Sequence, residues 1–432
     1  LICLTLRAET EGAITMTQII KVQSGTVVHH EKSAVEVADI LREHIGDYQK
    51  RYPLRPDQYK IVYDLLNCRT AYLGGHIEQC DHCGTERIHY NSCRNRHCPK
   101  CQSMPRERWL EARKAELLPV MYFHNVFTVP HELNPIILYN KKVMLNVLFK
   151  SVAETLLVFG RNPKNGLGGK PGFIAILHTW DQLLNVHFHL HCLVPGGAVS
   201  EDWTCWRPCK KAYLFNVEAL SLVFRGKFID YMSKAYQSGQ LTFPGISKPY
   251  EKPERFKQLI NTLYSKKWVV NIRESIKHPE NVLEYLGRYT HRVAISNHRI
   301  VSLKDGMVTF EYKDRETNRI KQTTFDAIEF IRRFLLHALP KGFVRVRHFG
   351  FLANRNRTEN LIKIRQLLRL SSGTGKVVGK SIEEMMLKLT GMDITNCPCC
   401  KKGKMQVVEE IAKYTGPRAS DIIQPPLLWE TA

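Results

Sequence analysis

No continuous apolar run in the 432-residue sequence reaches the roughly 18 to 20 residues of a membrane-spanning helix. An ordinary helical membrane protein is thereby excluded. Also missing is the order of basic segment, long apolar segment and small-residue cleavage site that marks a secretory signal. The first residues carry only a short apolar stretch and no initiating methionine. Met16 is the expected start, with residues 1–15 an upstream extension and 1–25 a leader ahead of the folded part. A cytoplasmic location follows by default. There is no internal repeat and no low-complexity tract, which excludes solenoids and fibrous arrays.

Acidic residues are scarce. Asp and Glu number 41 against 63 Lys and Arg, a formal net charge of +22, with a pI near 9.5. A monomer so unbalanced repels itself, so the excess implies a polyanionic partner: nucleic acid first, an anionic membrane surface second. A basic face kept only for solubility is the plain alternative. The composition, 44% hydrophobic and 24% charged, excludes a wholly disordered chain, and the length suits two or three domains. Of the 13 cysteines, six fall in CxxC pairs beside basic residues, a clustering that favours metal ligation over disulfides.

Periodicity gives a mixed order of elements. Helices are expected over 34–67, interrupted by Pro53 and Pro56, over 105–118 opened by Pro105, and as one long segment over 134–160. Strands are expected from His124 to Pro130, over 173–180, 185–194 and 267–273, and as a hairpin over 300–325 turning at Lys304-Asp305-Gly306. Further helices are expected near 216–237, 253–264 and 279–290. Residues beyond 330 read as helical and basic, ending in an open tail. The class is α+β with antiparallel character.

Three clusters carry chemistry. In Cys80-x2-Cys83 and Cys98-x2-Cys101, two knuckles bend the chain back on one ion, so four thiolates close a tetrahedral zinc shell. Cys93 and His97 lie between the pairs, and Cys68, His76 and His82 are near; one of these could replace a ligand, or a second ion could bind. The site is structural, and Arg94 and Arg96 within it would meet phosphates. Cys397-Pro398-Cys399-Cys400 is half a site.

The strand Val186–Val194 alternates with period two, putting His187, His189 and His191 on one face. Three imidazoles in a row would repel if charged and need partners if buried. A divalent cation resolves both demands, with His178 as one candidate for a third ligand. The plain alternative is a polar surface strand. Finally, Tyr285 and Tyr289 stand four apart on a helix, one above the other, with Arg288, His291 and Arg292 nearby. Cations favour a phenolate and hold a phosphate. Alone the pair reads as two boundary aromatics. Together with a metal and a basic chain, it makes a phosphoryl-transfer site.

These motifs resemble the two-tyrosine HUH transposases of bacterial insertion sequences, the rolling-circle type named for insertion sequence ninety-one. His189-Leu190-His191 matches the His-hydrophobic-His motif, with His187-Phe188-His189 as the other register. Tyr285-Leu286-Gly287-Arg288-Tyr289 matches the tyrosine motif, and Ser92-Cys93-Arg94-Asn95-Arg96-His97-Cys98-Pro99-Lys100-Cys101 the zinc-binding part. The likeness spans about 30 to 405.

The resemblance implies a ferredoxin-like HUH nuclease core with a central antiparallel sheet and the HUH strand mid-sheet. It implies Mg2+ or Mn2+ on His189 and His191, a 5′-phosphotyrosine intermediate, and no nucleotide cofactor. The partner would be single-stranded or hairpin DNA and no membrane. The expected division is a zinc-binding domain over 26–117, the nuclease over 118–330, and a basic C-terminal region over 331–432 whose Arg345 and Arg347 help form a DNA groove. The rival readings are an inactive zinc-ribbon DNA-binding protein and a metal hydrolase using bound water.

Overall fold

The computed structural model describes residues 35–165, 167–209, 214–276, 281–282, 287, 289–314, 316–370, 380–391 and 393–414. The expected leader, the open tail, Tyr285 and Arg288 lie outside the described residues.

The first helical segment is two helices, Val37–Arg51 and Pro56–Leu66, broken at the prolines as expected. Glu36 and Asp39 form a capping box on the first, and Pro56 occupies the opening turn of the second, where its missing N–H costs nothing. The strands are β1 (Gly75–Cys80), β2 (Glu86–Tyr90), β3 (Tyr122–Thr128), β4 (Gly172–Trp180), β5 (Val186–Pro195), β6 (Gly197–Val199), β7 (Trp206–Pro208), β8 (Val270–Ile276), β9 (Ile300–Lys304), β10 (Met307–Lys313), β11 (Ile320–Asp326), β12 (Val346–Gly350) and β13 (Met405–Ile411).

The main sheet has the order β12-β4-β5-β3-β8, antiparallel throughout, so the histidine strand β5 is its centre. Alternation divides the sheet cleanly. Phe123, Phe127, Phe173, Leu177, Phe188 and Leu190 face the helices Lys141–Arg161, Val217–Gln237 and Pro253–Ser265 and are buried there. Each such phenylalanine contributes about 1.5–3 kcal/mol by leaving water. Tyr122, His124, Ile174, Ile176, His178, His189 and His191 take the other face by the same alternation. The helix Lys141–Arg161 is long and apolar enough to cross a bilayer, but 67% of its apolar window is buried in the core. It is spent on packing.

Two expectations need correction. The segment 134–160 is not one helix but Asn134–Tyr139 and Lys141–Arg161, because Asn140 leaves helical geometry. Its amide donates to the Ile136 and Thr242 carbonyls at 3.0 and 2.7 Å, and its Oδ1 accepts from the Thr242 amide at 2.8 Å. The side chain ties the break to Thr242, while the Asn140 N–H still donates to the Ile136 carbonyl at 3.0 Å. The region beyond 330, expected to be helical, contains β12 and β13, which complete the main sheet beside β4 and a three-stranded sheet β13-β1-β2.

The buried clusters also cross the divisions expected at 117/118 and 330/331. Helices Val37–Arg51 and Pro56–Leu66 share a core with Val308, Phe310 and the helix Ala327–Leu336. Lys141 Nζ donates to the Leu336 and Ala338 carbonyls at 2.8 and 2.6 Å, and Gln58 Nε2 to that of Leu335 at 3.1 Å. Orphan carbonyls at that helix end are thus met from two directions.

Candidate active site and cysteine clusters

Four imidazoles line the face of the main sheet opposite the three long helices, and sheet register puts them there. His178 of β4 lies directly opposite His189 of β5, and His124 of β3 stands opposite Leu193, one pleat beyond His191. His124, His178 and His189 are buried and His191 half-buried. The ligand atoms of His178, His189 and His191 lie within 4.8 Å of one another. His187 is not in that group; its carbonyl instead accepts a 2.8 Å bond from His189 Nδ1.

That bond fixes a tautomer. With its proton on Nδ1, His189 turns a lone pair outward at Nε2, 3.1 Å from His191 Nε2. Two imidazole lone pairs at this distance repel unless a cation or a shared proton sits between them. About 3 Å is also the adjacent-ligand spacing of an octahedral ion with bonds near 2.1 Å. His191 Nδ1 in turn meets His124 Nε2 at 2.8 Å. When His191 Nε2 is a ligand, its Nδ1–H donates to His124, an outer partner that holds the ring.

His178 Nε2 donates to the carbonyl of Tyr289 at 2.9 Å, leaving its lone pair on Nδ1. Burial first, and neighbouring histidines second, hold His178 and His191 well below the ordinary histidine range. Both are therefore neutral at physiological pH, the state a metal requires.

Tyr289 joins this group. Its ring centroid is 4.2 Å from that of His191, 5.2 Å from His124 and 5.9 Å from His178. The helical turn carrying it packs on the helix Ser103–Lys114, where a side chain at Gly287 would meet Leu110 at 3.1 Å. His124, expected in a strand but not among the site residues, is a single histidine between apolar positions; only the register of β3 against β5 places it in the site.

The expected four-thiol zinc site is divided. Cys98 and Cys101 do not join Cys80 and Cys83; they converge with Cys68 and Cys93, at Sγ separations of 3.3 Å (Cys68–Cys101), 3.7 Å (Cys93–Cys101) and 3.6 Å (Cys98–Cys68). Four sulfurs 2.3 Å from one ion stand about 3.8 Å apart, so the donor set fits tetrahedral zinc. The regrouping has a plain cause. Cys80 and Cys83 turn at the tip of the β1–β2 hairpin, whereas Cys98 and Cys101 pack on the two N-terminal helices beside Cys68. His76, His82 and His97 are in neither set.

The arginines divide as well. Arg94 and Arg292 are exposed. Arg96 donates to the Phe343 carbonyl, Arg345 to that of Arg292 at 3.0 Å, and Arg347 to Asn146 Oδ1 at 2.7 Å while lying 4.0 Å over the Phe149 ring. In the same basic region Arg357 pairs with Glu116 at 3.1 Å, while Arg355, Lys363 and Arg369 stay exposed.

Comparison with known proteins decides the family. A family described as "Putative transposase" matches residues 172–360, and one described as "Transposase zinc-binding domain" matches residues 40–129. A Sinorhizobium fredii protein named "Putative transposase y4qJ" is 43% identical over 405 residues, covering 93% of this chain and 100% of the relative. The chain belongs to the IS91 family of transposases.

A second relative of the transposase, from Pseudomonas savastanoi pv. phaseolicola, is named "Transposase for insertion sequence element IS801". It is 29% identical over 322 residues, 74% of this chain and 76% of the relative. No solved structure matches. As a transposase the chain is a DNA-cleaving enzyme with DNA as its partner, and a structural zinc module belongs to its N-terminal part. His178, His189, His191 and Tyr289 lie on residues matched by the first family, and His124 with Cys68, Cys93, Cys98 and Cys101 on those matched by the second.

Proposed function

We propose that the transposase nicks and rejoins single-stranded DNA through a covalent 5′-phosphotyrosine, in rolling-circle-type transposition, on a ferredoxin-like HUH core. The observation that carries this reading is the phenol ring of Tyr289 set against His191, beside two converging Nε2 atoms. Central placement of β5 supports the HUH assignment.

His189 and His191 through Nε2, with His178 through Nδ1, would hold a divalent ion that polarises a non-bridging oxygen of the scissile phosphate. Three imidazoles suit Mn2+ better than Mg2+, which prefers oxygen donors. The deprotonated oxygen of Tyr289 or Tyr285 attacks phosphorus in line. A P–O(tyrosine) bond forms, the bond to the preceding nucleotide breaks, and that nucleotide leaves as a 3′-hydroxyl after taking a proton. The phosphodiester energy is kept in the adduct, so rejoining needs no nucleotide cofactor. His178 acts on both partners, since its Nε2–H holds the main chain of Tyr289. Arg94, Arg288 and Arg292, with Arg345 and Arg347, would position phosphates. The Cys68 set would hold the structural zinc.

Denaturing electrophoresis with end-labelled single-stranded DNA and Mn2+ tests the reading. The protein should carry label, and Tyr285→Phe/Tyr289→Phe should lose the adduct while retaining DNA binding. Free cut ends without adduct would instead favour hydrolysis by bound water. An uncut strand would favour an inactive zinc-ribbon binding protein.

A further inference from the structure

We propose that Cys80, Cys83, Cys397 and Cys400 form a second zinc site that clasps the C-terminal segment onto the N-terminal hairpin. The zinc-binding family match ends at residue 129, so half of this site lies far outside it. Cys80 Sγ is 3.7 Å from Cys400 Sγ and Cys83 Sγ is 3.6 Å from Cys397 Sγ, across 320 and 314 residues of sequence. All four sulfurs lie within 4.8 Å of one another. These are the spacings of four thiolates on one tetrahedral ion; disulfides would bring sulfurs to about 2.05 Å.

The two knuckles share one backbone design. In each, a residue just past the second cysteine donates its N–H to the carbonyl of the first: Gly84 to Cys80 at 3.0 Å and Lys401 to Cys397 at 3.0 Å. Both donors sit in the left-handed region, Gly84 at φ 71° and Lys401 at φ 56°. For a lysine that conformation is uncommon, so the turn is held by something other than its own preference. Main-chain donors also point at sulfur, as thiolates demand: His82 N to Cys80 Sγ at 3.4 Å and Gly403 N to Cys400 Sγ at 3.4 Å.

The surroundings fit the clasp. β13 pairs with β1 from Gly75↔Ile411 to Cys80↔Met405, and Asp81 accepts the Lys404 N–H at 2.8 Å. Gly403 has no room for a side chain, since a Cβ there would stand 2.5 Å from Cys80 Sγ. Lys401, Lys402 and Lys404 offset the surplus negative charge of four thiolates on a dication. Cys399, exposed and outside the set, is an internal control.

Elemental analysis of the full-length protein purified under reducing conditions tests this. Wild type should carry two zinc ions per chain. Cys80→Ser/Cys83→Ser, Cys397→Ser/Cys400→Ser and the four-fold variant should each carry one, and Cys399→Ser two. One zinc in wild type, or full zinc in Cys397→Ser/Cys400→Ser, overturns the proposal. Should the variants fail to fold, thiol alkylation of wild type decides. Exposed Cys83 should resist modification until a chelator is added, while exposed Cys399 reacts at once; equal rates at both would refute the clasp. The zinc count is independent of the nuclease reading, which the adduct assay tests alone.

Discussion

At the scale of single residues, His124 has the sharpest consequence. It meets the ligand His191 at 2.8 Å and lies beside the Tyr289 ring but is not in the ligand group itself, so it is a positioning residue. His124→Ala should weaken Mn2+ binding about 10- to 100-fold, the usual cost of losing an outer partner of a histidine ligand. His124→Asn, whose carbonyl can accept the same N–H, should recover part of the loss. Calorimetry or Mn2+ electron resonance checks this, and unchanged affinity in the alanine variant would remove the role.

His337 is a different case. It is buried, Nε2–H donates to the Leu184 carbonyl at 3.1 Å, and Nδ1 accepts from the Thr179 hydroxyl at 3.2 Å. Burial holds it down to about 4. The unfolded chain therefore takes up a proton below about 6.5 that the folded chain refuses, so stability falls as pH drops from about 6.5 toward 4. His348 and His291, also held at about 4 mainly by burial, add to that slope. Thermal melts across this range should show the decline, and His337→Gln should flatten it.

At the scale of elements, the break at Asn140 is testable. Asn140→Ala removes the partner of the Thr242 amide and should destabilise by about 1–3 kcal/mol, read as a lower melting temperature with the same circular dichroism at 20 °C. The same residue shows where sequence reading runs out. Its apolar neighbours keep a helical period through 134–160, and nothing local announces that Thr242, a hundred residues on, will claim its side chain. β5 is legible because three histidines and Phe188, Leu190 alternate without interruption. β12 is not: Val346-Arg347-His348-Phe349-Gly350 is short and basic, and becomes a strand only because β4 offers an edge. The four cysteines 80, 83, 98 and 101 read as one site by spacing alone, since spacing carries no information about Cys68 or about residues 397 and 400 arriving from the far end.

At the scale of the whole molecule, the +22 charge sets how DNA is held. Affinity for single-stranded DNA should fall steeply with salt, with a log–log slope near −0.7 for each phosphate engaged. Replacing exposed Arg94 or Arg292 by Ala should reduce the slope by close to one contact while affecting all sequences alike. A slope indifferent to both changes would move the phosphate path elsewhere.

Chain direction adds a temporal constraint. β12 borders the strand that carries His178, and β13 covers the hairpin edge at Gly75–Cys80, yet a ribosome delivers both late. A nascent transposase therefore emerges with two open sheet margins. Any product ending before residue 405 keeps the second one bare, an invitation to pair with a neighbour rather than a partly working enzyme.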